Sequence, residues 1–360
     1  MEYQHGGDIY SHKVELDVSA NINPLGMPEG VREAAVRSLE ESVRYPDSQS
    51  RRLRAALSRI HGVREEQIVC GNGAADLIFG LALALKPKRA LLLAPGFSEY
   101  EQALKTVDCQ IDFLYLREEQ GFVPSLGELE TGLSPKTGLV FVCNPNNPTG
   151  VAWKRQELET LALECLERGT VLAVDECFCD FLERPEEASL IPVLGKYPNV
   201  VILKAFTKLY AMAGLRLGYC LCGGEETAKR LAAVRQPWSV SNVAQAAGLA
   251  ALADREFPAR TRRFVAGERA FLMEGLRKAG MKVYASEANY VFFRDPAEEG
   301  GGKKGRLYEA LLEKKILIRS CANYRGLDCS FYRVCVGVRR DNERLLAALA
   351  QAAGEGFHGS

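Results

Sequence analysis

The stretch between residues 199 and 219 brings a hydroxyl, an amine and a guanidinium close to one apolar run. That run, Val200–Leu203, is β-branched and typical of a short buried strand. Thr207, Lys208 and Arg216 follow it. A lysine at a strand end, beside a hydroxyl and eight residues before an arginine, can act as an amine nucleophile next to a bound phosphate. Taken alone, these residues would also fit a lysine on the protein surface. The residues at the other strand ends must therefore show whether Lys208 belongs to a ligand site.

Three further apolar runs precede this one, and a residue of chemical interest follows each. The runs are Ala90–Ala94, Leu139–Cys143 and Val171–Val174, and the residues after them are Phe97, Asn147 and Asp175, in that order. Helical segments such as Gln156–Leu166 separate the runs, which predicts an α/β fold with a largely parallel sheet covered on both faces. Because ligands bind at the carboxyl ends of such strands, we expect these side chains to share one site.

These residue types match the needs of pyridoxal phosphate, a pyridinium ring that carries a phosphate and an aldehyde. Asp175 could keep the ring nitrogen protonated, which makes the ring an electron sink. Phe97 could cover the ring face, and Asn147 could donate a hydrogen bond to the phenolic oxygen. Lys208 could bond the aldehyde covalently. We therefore predict Lys208 and Asp175 as the catalytic residues of a pyridoxal phosphate enzyme.

The phosphate of that cofactor needs hydrogen-bond donors and positive charge. Gly71–Asp76 opens a helix that we expect to end near Leu85, and glycines at a helix start let backbone N–H groups approach an anion. The predicted phosphate ligands are Gly73, Ala74, Ala75, Thr207 and Arg216. Two glycines before a helix more often form a plain turn, so this part of the prediction depends on the rest of the site.

The N-terminal segment is polar and punctuated by glycine and proline, so it should cross the protein as an extended arm. Asn21 and Asn23 flank Ile22, and an extended chain would place both amides on one face. Such a face could contact a ligand. The alternative is a frayed terminus.

Composition favours a small-molecule ligand. The chain has 360 residues, 47% of them hydrophobic and 8% aromatic, which predicts a globular protein of two domains. Lysine plus arginine equal aspartate plus glutamate at 46 each, so no basic field indicates nucleic acid or an anionic membrane as partner. The sequence shows neither a cleavage-site pattern nor eighteen uninterrupted apolar residues, and we expect a cytoplasmic protein.

The cysteines and histidines argue against metal chemistry. Eleven cysteines are scattered without a disulfide framework or a zinc pattern, and we expect most to be reduced and buried. The pairs Cys177/Cys179 and Cys220/Cys222 leave a metal site open as an alternative. Only four histidines occur, which disfavours histidine-based metal or triad chemistry. We predict no metal.

The remaining elements follow from periodicity and helix breakers. We expect helices from Pro28 to about Leu39, around Leu53, Leu57 and Ile60 up to Gly62, and from Glu225 to about Ala279 with interruptions near Pro237-Trp238 and Pro258. The C-terminal part alternates predicted strands (Asn289–Phe293, Ile316–Ile318, Tyr332–Val336) with helices (Leu307–Leu312, Asn342–Ala352). Gly300–Lys304 should be an exposed loop.

Several motifs resemble a known enzyme superfamily. Asn147-Pro148-Thr149-Gly150, Asp175, and Lys208 with Gly214-Leu215-Arg216 resemble the signature of the fold-type-I aminotransferases, the aspartate aminotransferase superfamily. The resemblance spans nearly the whole chain. Within the superfamily, six segments are similar to the branch of threonine-phosphate decarboxylases, near relatives of the histidinol-phosphate aminotransferases. They are HGGD at 5–8, SANINPLGMP at 19–28, RYPD at 44–47, PGF at 95–97, PW at 237–238 and ILIRSCANYRGLD at 316–328.

The resemblance implies an architecture of two domains. A large domain at 41–235 would bind the cofactor. An N-terminal arm at 1–40, and an interdomain helix with a small domain at 236–353, would complete the fold before a disordered tail at 354–360. The resemblance also implies a homodimer with its sites at the subunit interface. Tyr45 matches the tyrosine that reaches the cofactor phosphate of the partner subunit.

The resemblance further implies how a phosphorylated amino acid would bind. Arg333 matches the arginine that holds the substrate carboxylate. Arg319 matches a second arginine for the phosphate of the substrate, helped by His5 and Asn21. Asn147 is expected to contact the substrate as well as the cofactor.

The activity implied is decarboxylation of L-threonine O-phosphate to (R)-1-amino-2-propanol O-phosphate for the nucleotide-loop linker of cobalamin. Two positions depart from the superfamily pattern. Ala205 stands where many relatives have serine, and Phe178 stands where aminotransferases have tyrosine, a change that the decarboxylase branch shares. Histidinol-phosphate transamination and a preference for L-serine O-phosphate remain open alternatives, because one methyl group is worth only about 1–3 kcal/mol in a pocket. A pyridoxal-phosphate-binding regulator would normally add a DNA-binding module, and none is evident.

Overall fold

The computed structural model describes residues 5–298 and 305–355. The strands are β1 (Leu16–Asp17), β2 (Ile68–Gly71), β3 (Arg89–Ala94), β4 (Gln110–Tyr115), β5 (Leu139–Cys143), β6 (Val171–Asp175), β7 (Val200–Ala205), β8 (Gly218–Cys222), β9 (Lys282–Val283), β10 (Tyr290–Arg294), β11 (Ile316–Leu317), β12 (Arg319–Ser320) and β13 (Phe331–Cys335). The helices are α1 (Glu29–Ser38), α2 (Arg51–His61), α3 (Gly73–Leu85), α4 (Ser98–Lys105), α5 (Leu126–Gly132), α6 (Arg155–Glu167), α7 (Phe206–Leu209), α8 (Glu225–Val234), α9 (Asn242–Ala253), α10 (Phe257–Lys278), α11 (Arg306–Glu313) and α12 (Arg339–Glu355).

A seven-stranded sheet organises the larger part of the chain. Its strand order is β2-β8-β7-β6-β5-β3-β4, and β8 alone runs antiparallel to its neighbours. Strands β5, β6 and β7 lie in register, so that Cys143 pairs with Asp175 and Asp175 pairs with Leu203. The α/β fold with a mostly parallel sheet that the apolar runs predicted is confirmed.

Both faces of this sheet are buried, which explains the unbroken apolar runs. Successive side chains of β5 point to opposite faces: Phe141 packs in a core with residues of α3 and α4, whereas Val140 and Val142 pack in a second core with residues of α6. Helices therefore cover the sheet on two sides. The carboxyl ends of the strands are left open between them.

The sequence interpretation missed the edge strand β4. Its residues Gln110–Tyr115 are half-buried or exposed, and it pairs with β3 only. An edge strand with one solvated side lacks the continuous apolar run that marked the inner strands. The run-based prediction was therefore wrong in passing from β3 to β5 without a strand between them.

The arm and the C-terminal strands form two smaller sheets. One is antiparallel with the order β12-β13-β10-β9, and the other is the parallel pair β1-β11. The Cys335 N–H also donates to the Val18 carbonyl, at 2.7 Å. The arm is thus hydrogen-bonded to the C-terminal sheet over residues 16–18, rather than frayed there.

Asn23 does not face a ligand, contrary to the expectation from its spacing with Asn21. Its amide donates to the Leu209 carbonyl at 2.6 Å and to the Thr261 hydroxyl at 2.9 Å. Asn23 is 3% exposed and makes these bonds to α7 and α10. The chain turns here, as the N–H of Gly26 bonding to the Asn23 carbonyl shows, so the strict alternation of an extended strand does not apply.

The predicted helices form with small shifts. Leu53 and Leu57 are buried, but Ile60 is 43% exposed, so the apolar face of α2 is shorter than its sequence spacing indicated. Pro258 lies in the first turn of α10 instead of interrupting a helix, a position where its missing N–H costs nothing. The predicted loop at 300–304 lies outside the described residues, as does the predicted tail from residue 356 onward; residues 354 and 355 continue α12.

All eleven cysteines are buried free thiols, and the sulfurs of Cys220 and Cys222 lie 4.0 Å apart. Within the described part of the chain, no group of three or more histidine, cysteine or acidic residues could hold a metal ion. Across residues 5–298 and 305–355, no helix combines the length and the apolar character that crossing a bilayer requires.

Candidate active site

A cleft of ≈ 1040 Å³, its open mouth included, lies at the carboxyl ends of β5, β6 and β7. The structure brings twelve of the fourteen predicted site residues to its wall: His5, Asn21, Ala74, Ala75, Phe97, Asn147, Asp175, Thr207, Lys208, Arg216, Arg319 and Arg333. Gly73 and Tyr45 do not line it. The arm, the large sheet and the C-terminal sheet each contribute part of the wall.

Lys208 enters the cleft from α7, the single helical turn that follows β7. Its Nζ lies 5.7 Å from the centroid of the Phe178 ring. Loss of hydration in this buried position lowers the pKa of Lys208 to about 8, and repulsion from Arg333 and Arg216 acts in the same direction. A substantial share of this lysine is therefore neutral near pH 8, and the neutral amine is the nucleophilic form.

Asp175 ends β6 with its carboxylate held in a defined orientation. It is 4% exposed, and its oxygens accept hydrogen bonds from the Tyr100 hydroxyl at 2.7 Å and from the Cys177 N–H at 3.0 Å. Tyr100 in turn stacks on Phe141, with 4.7 Å between the ring centroids. A carboxylate can accept about four hydrogen bonds, so capacity remains for a protonated ring nitrogen. Sequence reasoning missed Tyr100, which lies three residues after Phe97 in the same segment.

The start of α3 forms a cradle for an anion. Gly73 has φ +83°, and a Cβ at this position would lie 2.5 Å from a guanidinium nitrogen of Arg216. A Cβ on Gly218 would lie 2.7 Å from the Ala74 backbone nitrogen. Only glycine lets the three segments approach so closely. The first N–H groups of a helix have no intrahelical partner, so this cradle, the Thr207 hydroxyl and the Arg216 charge fit a phosphate.

Asn147 connects the large sheet to the C-terminal part of the chain. It is 5% exposed, and its Oδ1 accepts hydrogen bonds from the Arg333 guanidinium and from the Tyr324 hydroxyl, the latter at 3.4 Å. Because the oxygen is used in this way, the NH₂ group of the side chain is the part that can donate into the cleft. This orientation agrees with a hydrogen bond to a phenolic oxygen.

Arg319 and Arg333 are paired directly across strands β12 and β13, on the wall of the cleft. They are 6% and 5% exposed, and like charges that face each other across two strands destabilise a sheet. Arg333 donates to the Ser19 carbonyl at 2.8 Å, while its buried Nε has no hydrogen-bond partner among the described residues. Arg319 donates to the Asn323 side chain at 2.7 Å. Such a pair is suited to a ligand with two anionic groups.

The arm closes the remaining side of the cleft through His5 and Asn21. The Oδ1 atom of Asn21 is buried and has no partner among the described residues, so it is available to a ligand donor. The Nδ1 atom of His5 lies 3.5 Å from a carboxylate oxygen of Glu99. Burial raises the pKa of Glu99, which sequence reasoning did not single out. Nothing in its spacing distinguished it from an ordinary helix-start acid.

Phe178 and Ala205 also line the cleft, at the two positions that depart from the superfamily pattern. Phe178 packs edge-on against Tyr290, with 5.1 Å between the centroids, and it offers no hydroxyl to the ligand. Ala205 likewise offers none. A ligand that lacks hydrogen bonds at these two positions could find donors in Asn147 and at the start of α3.

Tyr45 lies away from the cleft of its own chain. It is 80% exposed and stacks on Trp238, with 4.7 Å between the ring centroids. The role predicted for it belongs to a partner subunit, so its absence from this cleft is in keeping with the expectation, and the role stays a prediction.

Comparisons with known proteins point to one family. The family model described as "Aminotransferase class I and II" matches residues 13–349. The threonine-phosphate decarboxylase of Salmonella typhimurium is 40% identical, over 96% of this chain and 95% of that protein. The L-threonine-O-3-phosphate decarboxylase structure from Porphyromonas gingivalis is 25% identical with a TM-score of 0.81, covering 93% of this chain and 98% of that one. A histidinol-phosphate aminotransferase from Sinorhizobium meliloti, solved with pyridoxal-5'-phosphate, is 22% identical with a TM-score of 0.86, covering 99% and 96% of the two chains.

The lowered pKa of Lys208 predicts its reactivity. In cofactor-free protein, the rate of reductive methylation at Lys208 should rise as the pH passes about 8, whereas an ordinary lysine needs about 10.4. Peptide mass spectrometry after short labelling pulses would measure the methylation rate of Lys208 and of exposed lysines in the same digest, which serve as reference. Arg333→Met removes one repelling charge, so it should move the midpoint of Lys208 upward. A wild-type Lys208 that titrates together with the exposed lysines would contradict the assignment.

Proposed function

The chain belongs to the aminotransferase class I and II family, and from this membership we propose that it is a pyridoxal 5'-phosphate enzyme that removes carbon dioxide from L-threonine O-phosphate. The observation that carries the proposal is the cross-strand pair of Arg319 and Arg333, which faces the same cleft as Lys208. Two buried guanidinium groups suit a substrate with a carboxylate at one end and a phosphate at the other. The 40% identity with the Salmonella typhimurium enzyme supports the same substrate.

The cofactor residues form a complete set. Lys208 would supply the amine for the aldehyde, Asp175 would accept the N–H of the ring, and the cradle with Thr207 and Arg216 would hold the phosphate. When bound, pyridoxal phosphate supplies a ring that accepts electrons from whichever Cα bond is held perpendicular to it. The rest of the chemistry depends on how the protein orients the substrate.

The chain can set that orientation because it offers separate anchors for the two anionic ends. Arg333 lies between Asn147 and Ser19, where it suits the carboxylate. Arg319, His5 and the NH₂ group of Asn21 suit the phosphate, which can only accept hydrogen bonds from them. Holding both ends restricts rotation about Cα, so positioning determines which bond faces the ring. In decarboxylation the carboxylate leaves as carbon dioxide and Cα takes up a proton, giving (R)-1-amino-2-propanol O-phosphate, the linker in the nucleotide loop of cobalamin.

Histidinol-phosphate transamination is the second candidate. The Sinorhizobium meliloti aminotransferase shares the fold, with a TM-score of 0.86, and would need the same cofactor residues. By the resemblance described above, Phe178 favours decarboxylation, because a tyrosine is expected at this position in the aminotransferases and not in the decarboxylase branch.

Product analysis distinguishes the two reactions. Incubation of the holoenzyme with L-threonine O-phosphate should release carbon dioxide in equal amount to aminopropanol phosphate, and Lys208→Ala should lose this turnover. Measuring kcat/KM for L-serine O-phosphate in parallel would show how much the methyl group contributes to substrate discrimination. In typical pockets this contribution is about 10- to 200-fold. Keto-acid products together with turnover of histidinol phosphate would replace the decarboxylase by the aminotransferase.

The separate roles proposed for Arg319 and Arg333 lead to a prediction about substrate binding. Arg319→Ala should weaken binding of L-threonine O-phosphate by roughly 2–5 kcal/mol, because a desolvated charge pair is lost, while cofactor affinity stays nearly unchanged. Arg340→Ala, at a position outside the cleft wall and with a 90% exposed side chain, is the control. Affinity for substrate and for cofactor would be measured by separate titrations. An equal loss for phosphorylated and unphosphorylated amino acids would show that Arg319 does not read the phosphate.

We further propose that the enzyme is a homodimer with a site at each side of the interface. Five exposed apolar side chains support this: Val36, Leu39, Val43, Tyr45 and Trp238. Four of them fall within ten residues of sequence, and the stack of Tyr45 on Trp238 joins the fifth to them. A patch of this kind on a folded chain indicates a protein contact. The domain boundaries at residues 40, 235 and 353 also remain our proposal.

Changing one residue of this patch tests the dimer. Val43 is 89% exposed in the single chain, so Val43→Asp should leave an isolated subunit intact but should dissociate the dimer by burying a charge in its interface. Sedimentation would measure the mass against the 39.6 kDa of one chain. Leu163→Asp, on α6 and 49% exposed, is the matched control. If the wild-type protein has the mass of one chain, the proposed dimer is wrong. If Val43→Asp still has the mass of two chains, this patch is not the dimer interface.

A further inference from the structure

The loop between β12 and β13, residues 321–328, borders the cleft through Tyr324, and we call it the recognition loop. Tyr324 of this loop lines the cleft beside Arg319, and its ring lies 5.2 Å from the Arg319 guanidinium carbon. Asn323 accepts a hydrogen bond from Arg319 at 2.7 Å. The loop therefore shapes both the direction of Arg319 and the surface that the substrate meets.

The backbone of the recognition loop is held mainly by local turns. The N–H of Tyr324 bonds to the Cys321 carbonyl and that of Leu327 to the Tyr324 carbonyl, at 2.9 and 3.2 Å. β12 itself pairs with β13 over two residues only, Arg319 and Ser320. Turns of this kind fix the shape of the loop but not its distance from the large sheet. That distance must be set by side chains.

One side chain makes a strong contact of this kind. Arg325, from the middle of the loop, donates from Nε and from Nη2 to the two carboxylate oxygens of Glu101, at 2.9 and 2.7 Å. Its guanidinium carbon also lies 4.3 Å from the centroid of the Phe113 ring on β4. Two parallel N–H···O bonds fix an angle as well as a distance. The contact joins positions 224 residues apart in sequence.

Glu101 is well placed to receive this arginine. It is 6% exposed, and it lies in α4, the helix whose first residues Ser98 and Glu99 face the cleft. The hydrogen bond from Arg325, reinforced by Lys105, lowers the pKa of Glu101 to about 2. The sign is that of an acid stabilised in its ionised form, so the contact is fully present above the ordinary pKa of a glutamate and is lost only as the pH falls toward about 2.

We propose that the Glu101–Arg325 pair is a latch that holds the recognition loop against the large sheet and thereby positions Arg319 and Tyr324 for the phosphate of the substrate. Both latch residues line a smaller cavity that adjoins the cleft at Arg319 and Tyr324, and neither lines the cleft around Lys208. We therefore assign them a positioning role. The latch rests on the proposed function for the identity of the substrate. It explains why the segment that carries the phosphate-reading arginine has a second arginine six residues later, whose role the cleft itself does not account for.

Breaking the latch should alter substrate binding more than chemistry. In the holoenzyme, Glu101→Gln should raise the KM for L-threonine O-phosphate by roughly tenfold or more, because a small displacement of an anchoring group is costly, while kcat and cofactor affinity change by much less. Hydrogen exchange of the peptide that covers 321–328 should become faster, with exchange in β5 and β6 unchanged. Arg325→Lys, which keeps the charge but not the two-pronged geometry, should give an intermediate effect.

Two further variants separate the latch from a general loss of structure. Lys105→Met removes the other cation beside Glu101 without touching the recognition loop, so KM and loop exchange should stay at wild-type values. The exchange of charges in Glu101→Arg/Arg325→Glu should restore at least part of the loss seen in either single variant. Wild-type KM and loop exchange in Glu101→Gln would overturn the latch. A Lys105→Met variant as impaired as Glu101→Gln would overturn it too, since the effect would then belong to α4.

The exchange measurement keeps this test independent of the proposed function. If the wild-type holoenzyme does not decarboxylate L-threonine O-phosphate, the proposed function fails, but faster exchange of 321–328 in Glu101→Gln still supports the latch. If the reaction occurs and loop exchange is unchanged in that variant, the latch fails and the function stands.

Discussion

The site depends on the parallel register of β5, β6 and β7. Because Cys143, Asp175 and Leu203 lie side by side in this register, the three strands end at one edge of the sheet. The segments that follow them then deliver Asn147, Asp175 and Lys208 into the same cleft. Backbone hydrogen bonds between strands buried on both faces leave little freedom for these ends to separate, so the geometry is present before any ligand arrives.

Besides the strand register, the positive charges in the cleft are a second constraint on the site. Lys208, Arg216, Arg319 and Arg333 line one cleft, where repulsion from two of the arginines helps to lower the pKa of the lysine. Like charges brought together in this way oppose folding until anions compensate them. A cofactor phosphate and a dianionic substrate would relieve that cost and stabilise the folded chain in return, since any ligand that binds only the folded state does so. The positive charges that add to the effect of burial on the pKa of Lys208 would thus also favour phosphorylated ligands.

The sequence predicted features that depend on residues close together in the chain. It did not predict contacts between residues that are far apart in sequence. Apolar runs revealed the inner strands because both faces are buried, and strand-end chemistry indicated six residues of the cleft wall: Phe97, Asn147, Asp175, Thr207, Lys208 and Arg216. His5, Arg319 and Arg333 were expected only from the resemblance to a known superfamily. The half-exposed strand β4 gave no such run, and Asn23 points into the protein because a turn breaks the alternation on which its prediction depended. Tyr100 and Arg325 show a different limit. Their contacts with Asp175 and Glu101 span 75 and 224 residues, and no spacing rule reaches so far.

The residues suited to the cofactor and those suited to the substrate come largely from different parts of the chain. The residues suited to the cofactor come from the buried large sheet, and apart from Phe178 they would serve a decarboxylase and an aminotransferase equally well. The residues suited to the substrate come mainly from the arm and the C-terminal sheet, whose side-chain contacts with the large sheet include Tyr324 with Asn147 and Arg325 with Glu101. A change in the contact between Arg325 and Glu101 would reorient the substrate without altering the residues suited to the cofactor. Since orientation determines which bond breaks, reaction choice in this fold can vary through the substrate-binding elements while the cofactor site stays the same.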